Sequence, residues 1–471
     1  MDDPSAVKDN FRDSLGIVSK EGKRKWIYPK KPSGRFYNGR TIFSIFLLLV
    51  LFVTPFIKKN GQPFLLFNII ERNFILFGIP FGPHDFHLLV IAMISVIVFI
   101  ILFTVVFGRV FCGWVCPQTV FLEMVFRKIE YLIEGNAGSQ RQLNNKPWSG
   151  NKLFKKGFKH TIFFSISFVI SNFFLAYIIG IDALGKIITD PPSTHTAGFL
   201  AILVFSGIFY WIFAFFREQA CILVCPYGRL QGVLLDRDSI VIAYDHPRGE
   251  PRGKLRKNDV SESNGDCIDC LMCVDVCPTG IDIRNGIQLE CVNCTACIDA
   301  CDEIMDKIKR PLGLIKYASV NSIENHSKFR ITPRIISYSV VLLILLSILG
   351  LLLNSRTDYD INIFRTPGLL FQEQPDNKIS NLYDLNIVNK TYNKLPVTLK
   401  LENTIGDIKI IGNKIFLNAQ GIADSKFMII LPIEEIHKMN TPVIVDVYSN
   451  GILLGRINSS FLGPVKEKRK D

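Results

Sequence analysis

Twelve cysteines lie between Cys112 and Cys301 of this 471-residue chain, and eight of them stand in two runs of the same spacing. The first run is Cys267-x2-Cys270-x2-Cys273-x3-Cys277, followed by Pro278; the second is Cys291-x2-Cys294-x2-Cys297-x3-Cys301. This is the spacing of bacterial two-cluster ferredoxins. Three closely spaced thiolates wrap one face of an iron–sulfur cubane, and a short loop cannot also reach the far side. In such proteins the fourth Cys of each run serves the other cluster. Cys267, Cys270, Cys273 and Cys301 are therefore assigned to one [4Fe–4S] cluster, and Cys291, Cys294, Cys297 and Cys277 to a second. Zinc sites use paired CxxC units instead of two runs of four. Asp302 follows Cys301 where the first run has proline, a residue that shapes the turn and binds no metal.

The other four cysteines form two copies of CxxxCP: Cys112-x3-Cys116-Pro117 and, 109 residues later, Cys221-x3-Cys225-Pro226. Residues i and i+4 share a helix face, so each pair of sulfurs can converge. The prolines disfavour helix at Cys116 and Cys225, placing each pair where a helix unwinds. Soft thiolates suit Cu(I), zinc or iron–sulfur species, and the residues alone leave these open. Arg109, Arg127, Arg217 and Arg229 are close enough in sequence to lower thiol pKa values, or to act as positive anchors at a membrane surface.

The elements that must position these thiols are membrane spans. Hydrophobic residues make up 48% of the chain and are clumped into five charge-free segments, Thr41–Ile57, Leu88–Phe107, Thr161–Ile181, Ala197–Phe216 and Ile335–Leu353. Each approaches the ~20 residues that cross a bilayer core. Lys and Arg number ten in residues 1–40, three in 58–86, nine in 108–159, one in 182–196 and fifteen in 217–333. That alternation places the N-terminus, both CxxxCP motifs and the cluster runs in the cytoplasm and residues 354–471 outside. It also explains the +12 charge without nucleic acid. Pro63–Phe81 is apolar but carries Glu71 and Arg72, and is expected to be an interfacial or re-entrant piece on the outer face. After Leu353 the pattern changes to short alternating runs, Leu395–Leu401, Ile408–Ile411, Phe427–Leu431 and Val443–Val447, separated by turn residues: the signature of a small β-sandwich without cysteines.

With these residues in place, the chain resembles, over roughly residues 20–465, the cytochrome c oxidase accessory proteins of the CcoG/FixG/RdxA type. The resemblance lies in the paired CxxxCP motifs, the 267–301 region ending Cys301-Asp302, the Ile331-Thr-Pro-Arg334 start of the last span, and the β-rich tail with Asn389-Lys390-Thr391. The expected fold is a membrane α-helical protein with five transmembrane helices, an inserted two-cluster ferredoxin-like domain and a C-terminal all-β immunoglobulin-like sandwich. The expected organisation is a basic cytoplasmic N-terminus (1–40), a four-span domain with both CxxxCP motifs (41–240), the 2[4Fe–4S] domain (241–333), the fifth helix (334–354) and a periplasmic sandwich (355–471).

The resemblance implies a cupric reductase of the bacterial inner membrane, supplying Cu(I) to a P-type exporter and to cbb3-type oxidase assembly. Cys112, Cys116, Cys221 and Cys225 would then be copper-contacting or reducing thiols, fed by the clusters. The competing reading is a polyferredoxin subunit linking a quinol or reductase to a partner without copper chemistry. A third is an assembly scaffold whose clusters sense redox state. The electron donor is left open and a homo-oligomer is allowed. Outside, His84, Asp85, His87 and His195 form a small polar group better read as interface residues than as a metal site. His160 and His246 carry no metal signature, and no P-loop, dinucleotide fingerprint or haem CxxCH is present.

Overall fold

The computed structural model describes residues 23–464 apart from 60, 70–72, 83–84, 255–264, 326–329, 369 and 437. Five helices are long and apolar enough to cross a membrane: Arg35–Phe56, Phe86–Phe107, Gly150–Ile179, Thr196–Phe216 and Pro333–Asn354. The third begins at Gly150, well before its charge-free stretch. Ser149 caps it, its side chain accepting from the Lys152 N–H at 3.4 Å, and the first turns carry lysines ahead of the apolar run. Among its described residues Pro63–Phe81 forms no helix. It contains the strands Leu65–Asn68, Asn73–Leu76 and Ile79–Phe81, the last two paired antiparallel; Glu71 and Arg72 lie outside the described residues.

The chain forms two compact units, residues 1–68 with 90–347 and residues 69–89 with 348–471. In the first, the strands Val241–Tyr244 and Ile315–Ala318 pair antiparallel beneath the cysteine loops and the helix Ala296–Lys307. Ile242, Ile283, Ile298, Met305 and Leu314 pack there against Cys267, Cys273 and Cys297. A separate core joins the helices, with Phe126 stacked on Phe213 at 4.7 Å and edge-on to Phe163 at 4.8 Å. The segments Val120–Phe126 and Ile212–Phe216 that meet there are both π-helical, a rare form that collects at functional sites.

The second unit is a β-sandwich, all of whose pairs are antiparallel. One sheet runs Asp407–Ile411, Ile422–Pro432, Lys378–Asn389, Tyr359–Arg365; the other Thr398–Leu401, Asn440–Ser449, Ile452–Leu462. Tyr383, Phe427, Ile429, Leu431, Val443, Val445, Val447 and Phe461 fill its core. Four of the strands match alternating runs in the sequence. Lys378–Asn389 is not among them: polar Asn381 stands on its core face, its Nδ2 donating to the Leu462 carbonyl at 3.1 Å, and Ser380 is buried on the opposite face beside Gln374.

Candidate iron–sulfur and thiol site

The two cysteine runs share one backbone device. Asp269 and Leu271 in the first, and Asn293 and Thr295 in the second, hold left-handed φ values of 51°, 57°, 53° and 67° at equivalent positions. Side chains rarely tolerate that conformation, and such strain gathers at binding sites. Here it coils each CxxCxxC loop inward, so that the third Cys enters the first turn of a helix, Met272–Asp275 or Ala296–Lys307.

The result is two cavities. One is lined by Cys267, Cys270, Cys273 and Cys301. The other is lined by Cys277, Cys291, Cys294 and Cys297, with Cys273 also on its wall. In both, three thiols of one run are joined by the last thiol of the other. Burial pushes the thiols up, Cys273, Cys291 and Cys301 each to about 12, and their mutual repulsion adds to it. Thiols so placed lose their protons only when metal takes their place. The donor set, all sulfur and four to a cavity, fits a cubane. The Asn293 and Ala296 N–H groups donate to the sulfurs of Cys291 and Cys294. Arg284 stands in the wall of the first cavity, fixed by Asp269 and Asp282, each at 2.7 Å.

Beside the second cavity lie the other four thiols. Each CxxxCP turn closes in the same way: the Cys116 N–H donates to the Phe111 carbonyl and the Cys225 N–H to the Ala220 carbonyl, both at 2.9 Å and both spanning five residues. Cys116 and Cys225 are then extended, and Pro117 and Pro226 start new helices. The halves meet so that all four thiols lie within electrostatic reach of one another. The Cys112 thiol donates to Gln231 Oε1 at 3.1 Å, and Arg109 Nε donates to the same oxygen at 3.0 Å.

Of the two roles open to these arginines, lowering the thiol pKa values is not the one that prevails at Cys112 and Cys221. Burial carries Cys112 up to about 11, outweighing Arg109, and Cys221 to about 12, with the other three thiols adding to the rise. Arg217 is spent on Glu130, which it grips through two bonds of 2.7 and 2.8 Å; Arg127 faces Glu123 and Glu218 at 3.2 and 3.5 Å. Lys159 joins Glu134 at 2.9 Å and Glu130 at 3.6 Å. The network is buried except at the partly exposed Glu123, and Arg127 Nη2 also donates to the carbonyl of Pro278, next to Cys277, at 3.1 Å. The carboxylates of this network were not singled out in the sequence, where only its basic members stood out.

Two further contacts seat the cysteine loops. Gly113 packs with no room for a side chain: a Cβ there would lie 2.5 Å from the Val292 carbonyl oxygen. The Asp299 carboxylate accepts from the N–H groups of Phe36 and Tyr37 at 3.1 and 2.7 Å, capping the first span from a distant helix. Asp302, the departure from proline, accepts from the Gly313 N–H at 2.9 Å and closes the loop after its helix. Of the other polar residues, His160 Nδ1 meets the Tyr210 hydroxyl at 2.9 Å and His195 meets Asp190 at 3.1 Å. Asp85 is buried between Arg356 and Lys390; His84 lies outside the described residues. Among the described residues no three Cys, His, Asp or Glu side chains close on a single metal ion.

A family model described as a 4Fe-4S dicluster domain matches residues 216–320, one described as a 4Fe-4S binding domain matches residues 89–136, and one described as an IG-like fold at the C-terminus of FixG matches residues 349–464. Protein RdxA of Cereibacter sphaeroides is 34% identical over 398 residues, covering 81% of this chain and 83% of that protein. The chain belongs to the FixG/RdxA family. Protein RdxB of the same organism is 34% identical over 396 residues, covering 78% and 80%. Nitrogen fixation protein FixG of Rhizobium meliloti is 33% identical over 309 residues, covering 64% of this chain and 58% of that protein. The chain is thus a multi-pass, iron–sulfur electron-transfer protein with an immunoglobulin-like C-terminal domain.

Proposed function

We propose that this protein reduces Cu(II) to Cu(I) on the cytoplasmic side of the bacterial inner membrane, as a step in supplying copper to a cbb3-type oxidase. The observation that supports it most is adjacency: the cavity of Cys277, Cys291, Cys294 and Cys297 packs, through Cys294 and Val292, against Cys112, so soft sulfur lies beside a redox site. When bound, a [4Fe–4S] cluster supplies a one-electron couple, which matches Cu(II)/Cu(I). Cys267, Cys270, Cys273 and Cys301 hold one cluster and Cys277, Cys291, Cys294 and Cys297 the other. Arg284 offsets part of the negative charge at the first. Cys112, Cys116, Cys221 and Cys225 form the end nearest the metal to be reduced, as copper-contacting or reducing thiols. The lysine and arginine distribution supports a cytoplasmic N-terminus and cysteine region and a periplasmic sandwich.

The test is Cu(II) titration of the anaerobically reduced, detergent-solubilised chain, with Cu(I) trapped by a chromogenic chelator. The wild type is expected to reduce copper. The variant with Cys112, Cys116, Cys221 and Cys225 all changed to Ala is expected to lose at least ten-fold in rate, with the EPR signals of the 267–301 region retained. Full reduction by that variant would remove the four thiols from copper chemistry.

A further inference from the structure

Two buried side chains beside the second cysteine set carry N–H groups with no acceptor among the described residues. Arg40, near the start of the first span, is 3% exposed; its Nε donates to the Gly113 carbonyl at 2.7 Å, while its Nη2 is buried without a partner. It lines a small enclosed cavity with Cys294, Pro278 and Glu123, and Glu123 is already paired with Arg127 at 3.2 Å. Asn293 is 2% exposed; its Nδ2 is likewise unpartnered, and its Oδ1 lies 3.5 Å from the Cys291 sulfur. We propose that Arg40 and Asn293 make the second cluster, held by Cys277, Cys291, Cys294 and Cys297, the more easily reduced of the two, so that an electron received at the first moves inward to the second.

A guanidinium keeps its charge when buried, and a buried charge without a counter-charge is costly. A cubane held by four thiolates is an anion and gains one more negative charge on reduction. It therefore supplies what Arg40 lacks, and supplies more of it in the reduced state. Net charge and hydrogen bonds to sulfur are the means by which a protein sets a cluster potential. Arg109 adds to the effect: it is 3% exposed, pairs with no carboxylate among the described residues, and donates to the carbonyl of Leu289, two residues before Cys291. Burial of the set opposes reduction, but the low dielectric that penalises the added charge also strengthens its attraction to these cations.

The two runs differ at an equivalent position. The residue just before the second Cys is Asp269 in the first run and Asn293 in the second, with the same left-handed backbone, φ 51° and 53°. Asp269 is an anion that only accepts, and it turns to Arg284 at 2.7 Å. Asn293 is neutral and can donate. Ligation removes the Cys291 proton that its Oδ1 faces; the carboxamide, turned about χ2, then presents Nδ2 to the sulfur and satisfies an N–H that is otherwise orphaned. Arg284 gives the first set less, because Asp269 and Asp282 both hold it at 2.7 Å. The arginine at the first set is thus balanced by two carboxylates, whereas Arg40 and Arg109 at the second are balanced by none among the described residues.

Access favours the same direction. Cys270 alone of the twelve cysteines is exposed, so the first cluster is the one that an electron donor reaches. Cys294 and Val292 of the second set pack against Cys112. One electron leaves the reduced first cluster, which returns to its oxidised state, and reduces the second; no bond forms or breaks and no proton moves. Arg40 and Asn293 thereby hold the electron at the end of the pair nearest the CxxxCP thiols. Both clusters are required for this, and copper is not.

The full chain, purified anaerobically in detergent, is titrated with dithionite in the presence of redox mediators and without copper, and EPR reads the clusters. Two potentials are expected, and Cys270→Ser, a ligand change confined to the first cluster, should alter the signal of the lower one. Arg40→Gln should lower the higher potential enough to change the reduced-to-oxidised ratio at least tenfold at a fixed potential, ~59 mV for a one-electron couple, and leave the lower one in place. Arg40→Lys keeps the charge and should stay close to the wild type, whereas a loss of packing alone would shift both variants alike. Should Arg40→Gln not accumulate, Asn293→Asp, whose side chain tolerates the left-handed backbone, should shift the same potential in the same direction. Coincident potentials in the wild type, a higher potential unmoved by these changes, a shift of the lower one instead, or a Cys270→Ser effect on the higher signal would each overturn the proposal. Copper reduction is scored separately: it can be absent with the potentials ordered as stated, and present with them reversed.

Discussion

Glu130 shows what one side chain does at the membrane surface. It is 5% exposed, yet Arg217 and Lys159 hold its carboxyl at about 2 against an ordinary value of 4.5. Burial alone would have raised it, so the cations win. A carboxyl whose folded value is depressed contributes stability above its unfolded value and loses it as pH falls through the folded one. Thermal unfolding of the detergent-solubilised protein should therefore show a loss of stability between pH 4.5 and about 2 that is absent in Glu130→Gln. At neutral pH the same substitution leaves the buried Arg217 with Glu218, 3.6 Å away, as its remaining carboxylate, and should cost about 3 kcal/mol. Arg217 adopts φ 52°, an uncommon conformation that this clamp holds in place.

At the scale of elements, the fit of the second cysteine run against the turn at Cys112 is the contact to perturb. Arg40 Nε donates to the Gly113 carbonyl at 2.7 Å, and the Tyr317 hydroxyl donates to the Asn293 carbonyl at 3.3 Å, so the seam is held from both sides. Gly113→Ala drives a methyl into the Val292 and Asn293 carbonyls at 2.5 and 2.7 Å. Backbone atoms cannot swing aside as a flexible side chain would, so the loop must shift. The expected cost is about 1–3 kcal/mol, read as a lowered midpoint of thermal unfolding, together with slower copper reduction. Gly157→Ala is the control: nothing lies within 4 Å of that Cβ, and in a helix interior it should be neutral or stabilising by up to about 1 kcal/mol.

At the scale of the molecule, the sandwich unit has no cysteine and depends on packing and on one buried ion pair set. Asp85 receives Arg356 at 2.9 Å and Lys390 at 3.0 Å, which tie the segment before the second span to the β-domain within that unit. Against the burial that would raise it, the two cations hold its carboxyl below the usual range. Asp85→Asn leaves both cations short of a counter-charge. We expect about 3 kcal/mol of local destabilisation, seen as faster proteolysis within residues 359–462, with iron content unchanged because the cysteines belong to the other unit. The seam at Gly113 and this anchor at Asp85 are thus separable experimentally.

Short-range quantities were legible in the residues themselves. Ligand spacing within a loop, the length of an apolar run, the proline that ends a turn and the charge of a connecting segment all act over a few positions, and they pointed to two cluster-binding runs, five spans and a β-rich tail. A polar residue on the core face, Asn381, and a buried one on the opposite face, Ser380, hid the strand Lys378–Asn389. Arg127 and Arg217 were read as neighbours of thiols because sequence distance was the only distance at hand; in the fold, Glu130 and Glu218 lie nearer and take them. The joining of two motifs 109 residues apart into one set of four sulfurs, and the capping of the first span by Asp299, were decided by tertiary structure alone. Such contacts depend on which helices pack together, and packing is a property of surfaces assembled from distant parts of the chain.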